Sequence, residues 1–92
     1  MKSILQDDRK CLICDFPLTD LHHVRLGNCS RKKAEKYGTL VYLCRKHHDQ
    51  LHHDERLKRK IQQFAQSKLE MKMTHEEYMK EFKKNYLGDE KN

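Results

Sequence analysis

Cys11-x-x-Cys14 and Cys44-x-x-His47 constrain what this chain can fold into more than any other feature. Each pair sets two metal-binding side chains on one turn of backbone. The combined spacing, C-x2-C-x29-C-x2-H, supplies the four sulfur and nitrogen donors that a closed tetrahedral zinc requires. With 92 residues, 36% hydrophobic and 37% charged, the chain has a thin core. A structural zinc is worth on the order of 10 kcal/mol of folding free energy, enough to offset that shortage. The spacing therefore predicts a structural Zn²⁺ on Cys11, Cys14, Cys44 and His47, tying a first strand to the start of a long helix. Cys29 belongs to neither pair and reads as a small buried side chain.

The stretch from Met1 to Asp8 has no apolar core of the signal-peptide kind, and no apolar run reaches membrane length. Four cysteines in that setting point to a reducing compartment and to metal rather than disulfides. One domain over residues 1–92 is expected, without a membrane partner. The formal charge of +6 favours a polyanion such as nucleic acid.

Local patterning predicts an α+β fold. Asp15-Phe16-Pro17 closes the first metal-binding turn, and Leu18 to Leu26 reads as a strand ending at Gly27-Asn28. Ser30 is suited to cap a short basic helix, Arg31 to Tyr37, that Gly38 stops. Thr39 to Leu43 is rich in β-branched and aromatic residues and reads as a second strand, antiparallel to the first, with the short helix in their connection. From about Arg45 the pattern is helical, with Leu57, Ile61, Phe64 and Ala65 along one stripe. Thr74-His75-Glu76-Glu77 opens a last helix with a capping box; Tyr78, Met79, Phe82 and Tyr86 face the core, and Gly88 ends it. His75 is expected at the surface.

Once the zinc ligands are set aside, His22, His23, His48, His52 and His53 are left. His47 and His48 point about 100° apart on a helix, so they serve different sites. His48 and His52, four apart, share a face and can chelate one ion. His22 and His23 diverge across a strand, so that one can join the metal while the other faces a substrate. Three histidines leave coordination positions open for water and a phosphate oxygen, which is how catalytic metal sites differ from structural ones. His53 is left beside the site or in solvent.

Asp20-Leu21-His22-His23-Val24, the short helix, and Leu43-Cys44-Arg45-Lys46-His47-His48 with His52 together resemble the HNH (ββα-metal) endonuclease family. The likeness covers about residues 11–53, with residues 54–88 as a helical extension. It is similar in particular to small bacteriophage HNH proteins related to recombination-enhancement nucleases, whose subgroup Lys36-Tyr37-Gly38 and Asn85-Tyr86-Leu87 also resemble. The resemblance implies a zinc-stapled ββα-metal core with His23 as general base. It implies His22, His48 and His52 as ligands of a catalytic divalent metal (Mg²⁺, Mn²⁺, Ni²⁺ or Zn²⁺), and Asp20 as an orienting acid. Thr39 stands where the family usually has an asparagine that pins the loop and orients the base.

The implied reaction is hydrolysis of a DNA phosphodiester to 5′-phosphate and 3′-hydroxyl ends, with Arg25, Arg31, Lys32, Lys33 and Arg45 as phosphate contacts. Low sequence specificity, a bacterial cytoplasm, and phage or host recombination or packaging proteins as partners fit the same resemblance. A noncatalytic zinc module that binds DNA or a protein is the competing expectation, and Thr39 is the residue that favours it.

Overall fold

The computed structural model describes residues 2–87. Its elements run β1 (Asp20–His23), α1 (Arg31–Tyr37), β2 (Leu40–Leu43), α2 (Arg45–Leu51), α3 (Glu55–Leu69) and α4 (His75–Phe82). β1 and β2 pair antiparallel, Asp20 opposite Leu43 and His23 opposite Leu40. This is a small α+β unit: one two-stranded ladder with four helices around it.

The ladder is shorter than the alternation of residue types suggests. Only Asp20–His23 of the 18–26 stretch is strand, because the β2 partner runs only from Leu40 to Leu43. Val24 and Leu26 are nonetheless fully buried, so the apolar pattern reported burial beyond the ladder. In the connection, the Ser30 hydroxyl accepts the Lys33 N–H at 3.1 Å and starts α1. Gly38, at φ 76°, ends it in the left-handed conformation that glycine takes without strain. The N-terminal segment lies against this end: Ile4 N–H donates to the Gly38 carbonyl at 2.8 Å. Further along, Leu12 N–H donates to the Tyr42 carbonyl at 2.8 Å and sets the first metal-binding turn beside β2.

The single long helix expected from Arg45 onward is two. α2 stops at Leu51, and Asp54, extended at φ −123° and ψ 97°, caps a new helix by accepting the Leu57 N–H at 3.0 Å. A side-chain acceptor at Asp54 satisfies a donor that a continuous helix would have bonded internally, so the chain turns there at little cost. Along α3, Ile61 and Ala65 are buried, with Leu57 and Phe64 packed at the edge of the core.

The Thr74 capping box forms in both directions: Glu77 N–H to Thr74 Oγ1 at 3.1 Å, and Thr74 N–H to Glu77 Oε1 at 2.9 Å. α4 ends earlier than the pattern suggests, at Phe82, with Lys83 left-handed at φ 62°; Gly88 lies outside the described residues. Tyr86 is therefore not on the helix, yet it is buried, and its hydroxyl accepts the Gly27 N–H at 2.9 Å. A buried glutamine holds this segment. Gln66 donates to Glu70 Oε2 at 2.7 Å and Asn85 Oδ1 at 2.8 Å, and accepts the Tyr86 N–H at 2.7 Å. Tyr86 joins Tyr78 and Leu69 in the buried core.

Candidate functional site

Cys11, Cys14, Cys44 and His47 meet as the spacing predicts. Among the described residues they form the group whose donor atoms all lie within 4.8 Å of one another. Their separations match a zinc tetrahedron. Donors about 2.3 Å (sulfur) and 2.1 Å (nitrogen) from a common centre stand ~3.8 Å apart for two sulfurs and ~3.5 Å for sulfur and nitrogen. The observed Cys14–Cys44 distance is 3.8 Å, and His47 Nδ1 lies 3.6 Å from the Cys11 sulfur and 3.3 Å from that of Cys44. The group can therefore hold a structural metal such as zinc, with His47 binding through Nδ1.

Local chain geometry explains the convergence. Asp15, left-handed at φ 65°, folds the turn so that Asp15 N–H reaches the Cys11 carbonyl and Cys11 N–H reaches that of Phe16, each at 2.9 Å. Cys44 is the N-cap of α2, which puts His47 one turn away. At Cys11 burial opposes ionisation, but the amides of Cys44, Cys14 and Ile13 and the His47 ring outweigh it and bring the thiol down to about 6. At Cys14 the Phe16 amide is the largest influence and favours thiolate. Burial and the neighbouring sulfurs of Cys11 and Cys44 together prevail and push its pKa up. Crowded thiols repel one another's charge, and a divalent cation at their centre removes that conflict.

The second histidine of α2 faces elsewhere. His48 lies with its ring centroid 5.3 Å from His22 and 5.2 Å from His52. The His22 and His52 rings thus fan out from His48 at closely similar spacings. Among the described residues, the cysteine cluster is the group whose donor atoms gather as a metal site requires. Burial, followed by the electrostatic influence of His48, His52, His23 and Lys58, lowers the His22 pKa to about 4. His22 is thus a neutral imidazole, the form that binds metal.

Asp20 stands beside His48, not His23. Its Oδ2 accepts Arg45 Nε–H at 3.0 Å and lies 3.4 Å from His48 Nδ1. Arg45 first, then His48, hold the Asp20 carboxyl below its usual range. A carboxylate on Nδ1 leaves Nε2 as the donor toward a metal, the arrangement that orients ligating histidines. His23 turns the other way, and its Nε2 lies 2.8 Å from Glu35 Oε2 on α1. His53 is exposed and lies 3.1 Å through Nδ1 from the Asp49 carbonyl, apart from both clusters.

Thr39 is fully buried. Its hydroxyl donates to the Val24 carbonyl at 2.9 Å, and its own carbonyl accepts the Val24 N–H at 2.8 Å. It thereby pins the backbone immediately after His23 without touching the imidazole.

His22, His23 and His52 line a cleft of about 370 Å³ that also takes in Arg25, Lys58 and Gln62. Lys58 and Gln62 come from α3, and residue spacing near the histidines did not point to them. The i, i+4 relation of Lys58 and Gln62 on the helix following His52 was the available signal. Of the expected phosphate contacts, Arg25, Arg31 and Lys32 are exposed. Arg45 is exposed but paired with Asp20, and Lys33 is held by Glu81 at 3.3 Å over the Phe82 ring. Cys29 is buried and His75 exposed, as expected. Among the described residues no helix is long and apolar enough to cross a membrane. No family model, curated protein or solved structure matches the chain.

Proposed function

We propose that this protein is a metal-dependent DNA endonuclease or nickase of the HNH (ββα-metal) type, with low sequence specificity. The observation that carries the reading is the division of the hairpin's two histidines. His22 turns to His48 and His52, while adjacent His23 turns to Glu35, and both line one cleft with Arg25 and Lys58. That cleft offers His22 and His52 to a cation that neighbouring His48 would share, His23 to a water, and two positive side chains to a phosphodiester.

His22, His48 and His52 would hold a catalytic divalent metal (Mg²⁺, Mn²⁺, Ni²⁺ or Zn²⁺), which when bound neutralises charge on the nonbridging and leaving oxygens. His23 takes the proton from the attacking water. Asp20 fixes the His48 ring through Nδ1, and Thr39 fixes the backbone that carries His23. Arg25 and Lys58, with exposed Arg31 and Lys32, position the DNA backbone without reading bases. The cysteine cluster supplies the rigid corner from which α2 presents His48. By the same resemblance the reading extends to a bacterial cytoplasm and to phage or host recombination or packaging proteins as partners.

The test is supercoiled plasmid with Mg²⁺, Mn²⁺ or Ni²⁺, with and without chelator. The wild-type chain is expected to nick, and His23→Ala to lose about 10²- to 10⁴-fold in rate. Equal nicking by both would remove His23 as the base. DNA binding with no nicking under any metal would replace this reading with the noncatalytic zinc module that Thr39 favours.

A further inference from the structure

Glu35 belongs to neither metal cluster, and residue spacing assigns it nothing. It is the fifth residue of a seven-residue basic helix, where a solvated carboxylate is the ordinary expectation. Instead its Oε2 is 2.8 Å from His23 Nε2, with the His23 side chain 12% exposed and that of Glu35 35%. A carboxylate only accepts hydrogen bonds, so the ring nitrogen facing it carries the proton. In the neutral imidazole the other nitrogen, Nδ1, is then left with its lone pair. Among the described residues no hydrogen bond occupies that Nδ1, and His23 lines both the 370 Å³ cleft and a second hollow of about 360 Å³ with Arg25 and Arg31.

The distance between the two side chains is set by buried backbone. Thr39 N–H donates to the Ala34 carbonyl at 2.9 Å, one residue before Glu35, and Gly38 N–H to the carbonyl of Glu35 itself at 3.2 Å. The same Thr39 holds Val24, one residue after His23, through both hydroxyl and carbonyl. One buried threonine therefore clamps the end of α1 to the end of β1, with the acid on one side of the clamp and the imidazole on the other.

We infer that Glu35 is a positioning residue for His23: its carboxylate locks the imidazole in the Nε2–H tautomer and aims unprotonated Nδ1 into the cleft, where it accepts the proton of the attacking water. The inference rests on the nuclease reading for its chemistry but not for its geometry. An imidazole free to rotate or to exchange tautomers presents the wrong nitrogen part of the time; one held by a carboxylate does not.

Two readouts on the zinc-loaded full chain test it. In nitrogen-15 spectra of the wild type, His23 should show a protonated Nε2 with slowed exchange and an unprotonated Nδ1. In Glu35→Ala the slow-exchanging proton should vanish. On plasmid DNA, Glu35→Ala should lower kcat by about 10- to 100-fold with KM little changed, and Glu35→Asp should recover part of the loss. Unchanged zinc content and helical signal establish that both variants fold. A proton on Nδ1 in the wild type, a slow-exchanging Nε2–H that survives in Glu35→Ala, or wild-type kcat in Glu35→Ala would each overturn the inference. A wild type that shows the Nε2–H signal and nicks nothing would sink the nuclease reading and leave the hold of Glu35 on the tautomer standing.

Discussion

Adjacent histidines in this chain meet different neighbours because adjacent side chains point in different directions, on strand and helix alike. His47 and His48 split between the cysteine cluster and the imidazole fan; His22 and His23 split between that fan and Glu35. Burial is the largest influence on the titration of His22. Its folded pKa of about 4 lies below the ordinary 6.5, so on acidification the unfolded chain takes up a proton before the native chain does. The stability contributed by keeping His22 neutral is complete above about pH 6.5 and is lost as pH falls through about 4. With zinc on the cysteine cluster and no second metal, the His22 ring resonance should hold its neutral position from about pH 7.5 to about 5. A midpoint near 6.5 would refute its burial.

At the scale of elements, α1 matters more than its length suggests. It is only seven residues long, yet it carries Glu35 and fills the connection between the strands. Seven residues make a marginal helix in water, so its two ends must be held. Ser30 holds the first and Gly38 the second. A Cβ at Gly38 would stand 2.9 Å from Ile4 Cγ2 and 2.9 Å from the Lys2 carbonyl oxygen, on backbone at φ +76°. Gly38→Ala should therefore cost about 1–3 kcal/mol, read as a lowered melting temperature. Unchanged melting would mean that the N-terminal segment does not pack on this end. The split between α2 and α3 also belongs to this scale. The Asp54 cap turns the chain after His52, and the turn lets α3 bring Lys58 and Gln62 to the histidine cleft.

At the scale of the whole molecule, the cysteine cluster joins the N-terminal turn to the junction of β2 and α2, two pieces far apart in sequence. The core beneath is small, so stability should depend on the metal. Chelation, or Cys14→Ser, should unfold the chain or lower its melting temperature sharply, with one tightly held zinc released per chain. A melting curve that chelator does not move would remove the metal from the folding account. A second, weaker metal per chain, lost in His48→Ala while the tight zinc stays, is the matching expectation for the imidazole fan.

Sequence alone determined the four donors of the cysteine cluster, the strand–helix–strand order, the Ser30 and Thr74 caps, and the divergence of His47 from His48 and of His22 from His23. All of these follow from short spacings and from the fixed directions of neighbouring side chains. Tertiary structure decided what depends on distant residues. It shortened the first strand to the length of its partner and ended α4 at Phe82, because Gln66 and Gly27 hold Tyr86 in place off the helix. It set Asp20 on His48. It also brought Glu35, twelve residues away in sequence, to His23. No local pattern encodes that last contact, because it exists only once Thr39 has clamped the helix to the strand.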